Sequence, residues 1–525
     1  MRTILFTLLQ KAFCIAHESN TNNRPPIAEL LEESQEFAHY SRRDFLAQSL
    51  KAGAFLGAST LLPQAVFASP PQGRIVIVGA GLAGLTAAYY LKKAGITKFT
   101  LYEASSHIGG RVQTLKNEIG RNLLTEAGGE FIDANHKDMA RLVRELDLEA
   151  IDTFRDPLPL KMQTLFFEGK HRNMQEIVTE FQAILPQIAR DISFLDQKRQ
   201  NTDSKSIDNM PLEKYIEGLR ASSWMTKLLK TAYTAEFGIE TGNQSALNFL
   251  DSLSLASAKT DLQLHGSTRD RRYKIRGGNY SLISALSKGM EPFMYTDMQL
   301  TEINRATSGE LNLVFNEKEM IQADYVIMAI PFSVLRNVKI NIDTLSPRKK
   351  QCINELGYGN HSKLMMGFSY RMWRARGYMG YMLGENTQAS WDNGLFQNQL
   401  QNKATEGGYT ICLGGEAANT LKEGEQASAE STYLPYLEQA FPKLTAAFNH
   451  QSAIVNWGQN PYIKGSVSAF KVGQRTNFVG MAQESDKNLL FAGEHCSTNF
   501  MGTMNGAAET GRIAAQKIIN ILTPK

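Results

Sequence analysis

The chain has 525 residues, 42% hydrophobic and 21% charged, with a formal net charge of +4. That length supports more than one buried core. The near-balanced charge, with no Lys/Arg cluster interleaved with aromatics, argues against nucleic acid as a partner. Four cysteines (Cys14, Cys352, Cys412, Cys496) show neither metal-ligand spacing nor a disulfide framework, so no metal is expected.

The first element in chain order is an address. Ser41-Arg42-Arg43-Asp44-Phe45-Leu46 matches a twin-arginine export signal, followed by an Ala/Gly/Leu-rich run to Ala65-Val66-Phe67-Ala68. Residues 1–68 are therefore expected to be an N-terminal extension, cut after Ala68, of a bacterial periplasmic or exported protein; a cytoplasmic N-terminal helix or an uncleaved anchor is the other reading. No later segment is apolar for long enough to span a bilayer.

Arg74-Ile75-Val76-Ile77-Val78 reads as a buried parallel strand and enters Gly79-Ala80-Gly81-Leu82-Ala83-Gly84, then a helix to Lys93. Gly79 permits the tight turn, Gly81 lets a pyrophosphate approach the backbone, and Gly84 lets helix and strand pack closely. A second strand, Phe99 to Tyr102, ends at Glu103, about twenty residues past the last motif glycine, where a carboxylate accepts ribose hydroxyls. The pattern predicts a Rossmann-like α/β dinucleotide site.

The next segments, Glu103-Ala104-Ser105-Ser106-His107-Ile108-Gly109-Gly110-Arg111 and Glu126-Ala127-Gly128-Gly129-Glu130-Phe131, resemble the flavin-containing amine oxidases: monoamine oxidases, polyamine oxidases and L-amino-acid oxidases. The resemblance runs from about residue 72 to the C-terminus. It implies FAD as cofactor, with Ala104, Gly110, Arg111, Gly128 and Gly129 lying along the pyrophosphate and flavin. Arg111 offers a fork of donors suited to phosphate; an ordinary surface arginine is its other reading. Where some L-amino-acid oxidases carry an arginine for the substrate carboxylate, this chain has Phe131. The basic stretch Arg269 to Arg276 is another source of such a partner.

The resemblance also implies an interleaved architecture, an FAD-binding α/β domain (73–152, 271–340, 455–525) threaded through an α+β substrate domain (153–270, 341–454). Tyr233 to Leu247 is expected to approach the cavity from the substrate side. Leu300 takes the place of a residue whose backbone meets adenine, although a generic strand reads the same way. Lys363 sits where the family keeps an active-site lysine, water-bridged to flavin N5. Burial in an apolar cavity would favour its neutral form; a strand-edge lysine reaching solvent is the alternative. His361 reads as structural.

Toward the C-terminus, Trp457 belongs to the passage beside the flavin, and Glu494 matches the residue bonding the ribityl chain. Met504 matches the one whose backbone N–H faces the pyrimidine edge, at the positive end of a helix. Ser466 stands where some members have a flavin-bonded cysteine, so FAD is expected to be noncovalent. Val467 and Thr503 replace the two tyrosines of the monoamine-oxidase cage, so a typical arylalkylamine is not expected.

The implied activity is oxidation of an amine or L-amino acid, with hydride transfer to flavin N5, imine hydrolysis, and reoxidation by O2 to H2O2. A homodimer is compatible with the resemblance. Three other readings stay open: an oxidative decarboxylase of the tryptophan-monooxygenase type, an FAD desaturase or protoporphyrinogen-type oxidase, and a flavin-binding protein without turnover.

Overall fold

The computed structural model describes residues 4–19, 27, 73–153, 158–198, 203–253, 272–394 and 406–523. The twin-arginine segment and Arg269 therefore lie outside the described residues.

A five-stranded parallel sheet organises the first layer. Its order is Leu489–Phe491, Tyr325–Met328, Ile75–Val78, Phe99–Tyr102, Met294–Tyr295. The β-branched run at 75–78 suits a strand covered on both faces. Side chains alternate, so Ile75 and Ile77 enter one core with the helices Leu82–Lys93 and Met504–Leu522. Val76 and Val78 enter another, with Leu300, Leu311, Leu313 and Phe315 of a four-stranded sheet. The central strand is thus flanked by Phe99–Tyr102, near it in sequence, and by Tyr325–Met328, roughly 250 residues later; Leu489–Phe491, roughly 400 residues later, pairs with the far edge of Tyr325–Met328, and both returns far exceed the short connections usual between neighbouring strands.

A seven-stranded sheet forms the second body, in the order Phe448–Asn456, His361–Phe368, Gly407–Gly414, Gln388–Asp392, Tyr378–Gly384, Lys161–Phe167, Lys170–Arg172. Every pairing is antiparallel except that of Tyr378–Gly384 with Lys161–Phe167. All eight residues of His361–Phe368 are buried, because strands flank it on both edges and helices cover the sheet. The helix Gln426–Ala440 packs over one part of the sheet with Trp373, Tyr409 and Phe441.

A helical layer, including Met174–Lys198, Leu212–Gly218 and Ser223–Phe237, builds a further core. Its unexpected member is the N-terminal helix Ile4–Ser19, assigned from sequence to the cleaved extension. Leu9, Ala12, Phe13 and Ala16, at i, i+3, i+4 and i+7, are buried in that core. The Phe13 ring meets Phe181 edge-on at 6.0 Å, and Gln182 Nε2 donates to Ser19 Oγ at 2.8 Å. Among the described residues, no helix is long and apolar enough to cross a membrane, and no cluster of His, Cys, Asp and Glu could hold a metal.

Candidate functional site

The strand Ile75–Val78 delivers the chain into Gly79, whose φ of +101° excludes most side chains. A Cβ on Gly84 would stand 1.9 Å from the Gly79 carbonyl oxygen, so helix and turn touch through backbone alone. Gly81, by contrast, has open space where its Cβ would be. A bound group can therefore approach the backbone at the helix's N-terminal end.

Glu103, at the end of the next strand, ties this turn. Its Oε2 accepts from Ala80 N at 2.8 Å, while Oε1 accepts from the Ser105 N–H and hydroxyl, both at 2.9 Å. Oε1 is thereby fully engaged, and Oε2, with a single bond, keeps lone-pair capacity for a ribose hydroxyl.

One cavity collects residues from both chain ends. Gly79, Gly81, Glu103, Ala104, Gly110, Arg111, Gly128, Gly129, Leu300, Trp457, Ser466, Val467, Glu494, Thr503 and Met504 all line it. Gly84 lies beneath, holding the turn. Arg111 Nη1 donates to Glu494 Oε1 and to the Ser466 carbonyl, each at 2.8 Å, which removes the surface-arginine reading. Its expected phosphate contact is thus preceded by an ion pair inside the protein.

Glu494 further accepts from Ser468 N (3.1 Å), Ser468 Oγ (2.6 Å) and Gly502 N (2.8 Å). Burial alone would raise its pKa; Arg111 and these donors override that and hold it at about 2. Thr503 Oγ1 accepts from Gly506 N at 3.1 Å, capping the C-terminal helix so that its positive end faces the cavity. Trp457 Nε1 donates to Ala127 O at 2.9 Å. Glycine turn, carboxylate at the second strand, capped helix terminus and elongated lining together fit an FAD-sized dinucleotide.

Lys363 and Phe131 do not line this cavity; they stand behind its Gly128–Gly129 wall. Lys363 is fully buried, which removes the solvent-reaching alternative. Its Nζ donates to Glu126 O (2.8 Å), Gly128 O (3.0 Å) and Glu130 Oε2 (2.8 Å). Three acceptors around one nitrogen are what an ammonium satisfies in full. The apolar surrounding expected for Lys363 is corrected accordingly: the side chain sits in a polar knot, bonded to three protein oxygens.

Glu130 is the centre of that knot. Its Oε1 also accepts from Lys274 Nζ at 2.6 Å and Trp391 Nε1 at 2.8 Å. Burial pushes Glu130 up, but the two lysines prevail and hold it at about 2. Lys274 lies 4.7 Å from the Phe131 ring centroid, and Phe131 packs near Trp391 (5.7 Å) and Tyr381 (6.0 Å).

The described basic residues of the 269–276 stretch, Arg272, Lys274 and Arg276, have carboxylate partners. Arg272 forks onto Asp152 at 2.7 and 2.9 Å, and Arg276 pairs with Glu149. The stretch therefore supplies no cavity-lining cation among the described residues. Tyr233–Leu247 likewise stays out of the cavity lining: Gln244 Nε2 bonds the Tyr233 and Ile239 carbonyls.

His361 is structural, with Nε2 donating to Ala235 O at 3.0 Å and Nδ1 meeting Ser466 Oγ at 2.6 Å. His495 was not singled out from sequence. It is buried, lines the cavity beside Glu494, and is lowered to about 3 by burial, hence neutral.

A family model, flavin containing amine oxidoreductase, matches residues 82–519. The chain is 27% identical over 477 residues to "Lysine-specific histone demethylase 1 homolog 2" of Oryza sativa, covering 88% of this chain but only 60% of that protein. To human "Amine oxidase [flavin-containing] B" it is 23% identical over 471 residues, covering 85% and 86%. Among solved structures, cyclohexylamine oxidase from Brevibacterium oxydans aligns with TM-score 0.72 at 19% identity, over 86% of this chain and all of that one. A putrescine oxidase variant aligns with TM-score 0.72 at 17% identity, covering 86% and 99%. These structural likenesses speak to the fold alone. With the family model spanning most of the chain and the dinucleotide cavity assembled as described, the protein belongs to the flavin-containing amine oxidoreductases, whose cofactor is FAD.

Proposed function

We propose that the protein oxidises a small-molecule amine: amine, water and O2 are converted to a carbonyl compound, ammonia or a smaller amine, and H2O2. FAD, when bound, supplies the two-electron acceptor. The single observation that carries this reading is the juxtaposition of the dinucleotide cavity with an aromatic cluster just beyond Gly129, buried Tyr381 and Trp391 with half-buried Phe131. That cluster suits an apolar amine held in a water-poor space.

Among the described residues of the basic stretch, Arg272, Lys274 and Arg276 pair with Asp152, Glu130 and Glu149, which favours an amine over an amino acid. Ser466, hydrogen-bonded to His361, offers a hydroxyl where a thiol would be needed, so FAD is held noncovalently. Acid precipitation should release all the flavin into the supernatant; a yellow pellet overturns this point.

A peroxide-release screen over polyamines, cyclic and aryl amines and the protein amino acids tests the main reading. Turnover of at least one carboxylate-free amine is expected. FAD-loaded protein that no amine reduces would defeat it, and turnover of amino acids alone would reverse the substrate preference. The twin-arginine motif supports export. If cleavage follows Ala68, the buried helix Ile4–Ser19 is severed from the chain, and the mass of the mature protein would tell whether it is retained.

A further inference from the structure

Behind the turn Glu494–Cys496 lies a second cavity, of about 120 Å3. That is room for several waters, at roughly 10–15 Å3 each. Its two ends differ. At the mouth, Thr498 and Asn499 are exposed and Val479 is 53% exposed. At the inner end, Asn248, Cys496 and His495 are buried. His495 is the one described residue that lines both this chamber and the cofactor cavity, so a single residue separates the two spaces there.

The inner end is polar and unsatisfied. Asn248 Nδ2 donates to the Phe470 carbonyl at 3.0 Å, which leaves its buried Oδ1 as an acceptor without a partner. Neither ring nitrogen of His495 has a partner. The neutral imidazole therefore presents one unused donor and one unused acceptor. Buried polar atoms left open in this way call for a polar molecule between them. An ion does not suit, because the charges on the lining, Arg475 and Asp251, already pair with each other. A small neutral hydroxylic molecule does: its O–H meets Asn248 Oδ1, and its oxygen accepts from His495. Water and hydrogen peroxide share that chemistry.

Resting on the amine-oxidase reading above, we propose that this chamber is the passage through which hydrogen peroxide leaves the cofactor cavity, with His495 as the partition. No hydrogen bond tethers the ring. Phe332, with ring centroids 4.4 Å apart, and Gly493 hold it by packing alone, so turning it aside breaks no polar contact. Cys496 Sγ donates to Ala482 O, and burial pushes its thiol up to about 12. A passing peroxide thus meets a thiol, not the thiolate it would oxidise.

The first test needs neither FAD nor substrate. In full-length Asn248→Cys protein, the small neutral reagent methyl methanethiosulfonate should modify the introduced thiol, located by peptide mass mapping. Adding Thr498→Trp at the mouth should slow that reaction about tenfold. If Asn248→Cys fails to fold, Cys496, which lines the same chamber, takes the label at raised pH instead. A thiol that stays unmodified in the folded protein, or that the tryptophan does not protect, would overturn the proposal.

The second test separates peroxide from water. FAD-loaded protein is photoreduced, mixed with O2, and followed by flavin absorbance and by a peroxidase-coupled dye. In the unmodified protein the two signals should rise together. In Thr498→Trp, reoxidation should stay within about twofold while peroxide appears about fivefold later. Peroxide in step with reoxidation would leave the chamber to water, and slowed reoxidation would give it to O2; either result overturns the proposal. Unmodified protein that binds no FAD would instead defeat the functional reading on which this rests.

Discussion

Two buried carboxylates, Glu494 and Glu130, flank the cofactor wall, and both are held at about 2. They reach that state differently. Glu494 leans on one arginine, one hydroxyl and two backbone N–H groups, all but Arg111 within a short C-terminal span. Glu130 depends on side chains from three separate strands, Lys274, Lys363 and Trp391. The first is a locally built clamp inside the cavity; the second is a tertiary knot behind it. Local clamps follow the chain wherever it folds, whereas tertiary knots exist only once distant strands have found their register.

The comparison is sharpened most by Glu494→Ala. It leaves Arg111 without its carboxylate and should cost about 3–5 kcal/mol together with FAD retention on gel filtration. Because the native pKa lies below the ordinary one, Glu494's contribution is full above about 4.5. It should fade as pH falls toward about 2, so wild type and variant converge in acid.

Lys363→Met should be the next largest. Removing the donor from the Glu126 and Gly128 carbonyls should cost about 2–4 kcal/mol in denaturant unfolding, while Glu130 keeps Lys274 and FAD still binds. Loss of FAD from this variant would erase the distinction between clamp and knot.

Glu126→Gln probes the knot's edge by pH. Burial raises Glu126 from 4.5 to about 7, so the native state binds a proton more tightly than the unfolded one. Its stabilisation is full below about 4.5 and lost as pH rises through 7. The glutamine variant should therefore gain on the wild type by about 2–3 kcal/mol near pH 8 and show no such gain near pH 4. A pH-independent difference would assign the effect to packing.

Ser466→Ala is the smallest change. It removes a hydroxyl from His361 and should lower stability by about 1 kcal/mol, leaving flavin content unchanged.

Legibility in the sequence follows the same division. Gly79-Ala80-Gly81, Gly84 and Glu103 were readable because strand, turn and helix are consecutive and their chemistry is local. Glu494 was readable for the same reason, at a strand end ahead of a capped helix. Lys363 was singled out from the sequence, but its surroundings were not legible: its three acceptors lie 233 to 237 residues away. Glu130 meets Lys274 and Trp391 across 144 and 261 residues, and nothing in the Gly-Gly run marks it as paired. The N-terminal helix is a different case. Its apolar positions at Leu9, Ala12, Phe13 and Ala16 are plain in the sequence and are buried in the structure, while the twin-arginine motif downstream reads the same segment as part of a leader.

The strand order of the parallel sheet also bears on how the protein is made. Ile75–Val78 leaves a ribosome early, but the strand Leu489–Phe491 and the helix Met504–Leu522 that complete its layer come last. At about 5–20 residues per second, roughly 400 residues of synthesis separate the two, a wait of tens of seconds. During it the first strand and its glycine turn stand without their C-terminal cover, in a topology whose contacts are strongly non-local and slow to form. A chain truncated by even its final helix should therefore fail to capture flavin at all, and a nascent protein stalled short of that helix is a natural client for chaperones.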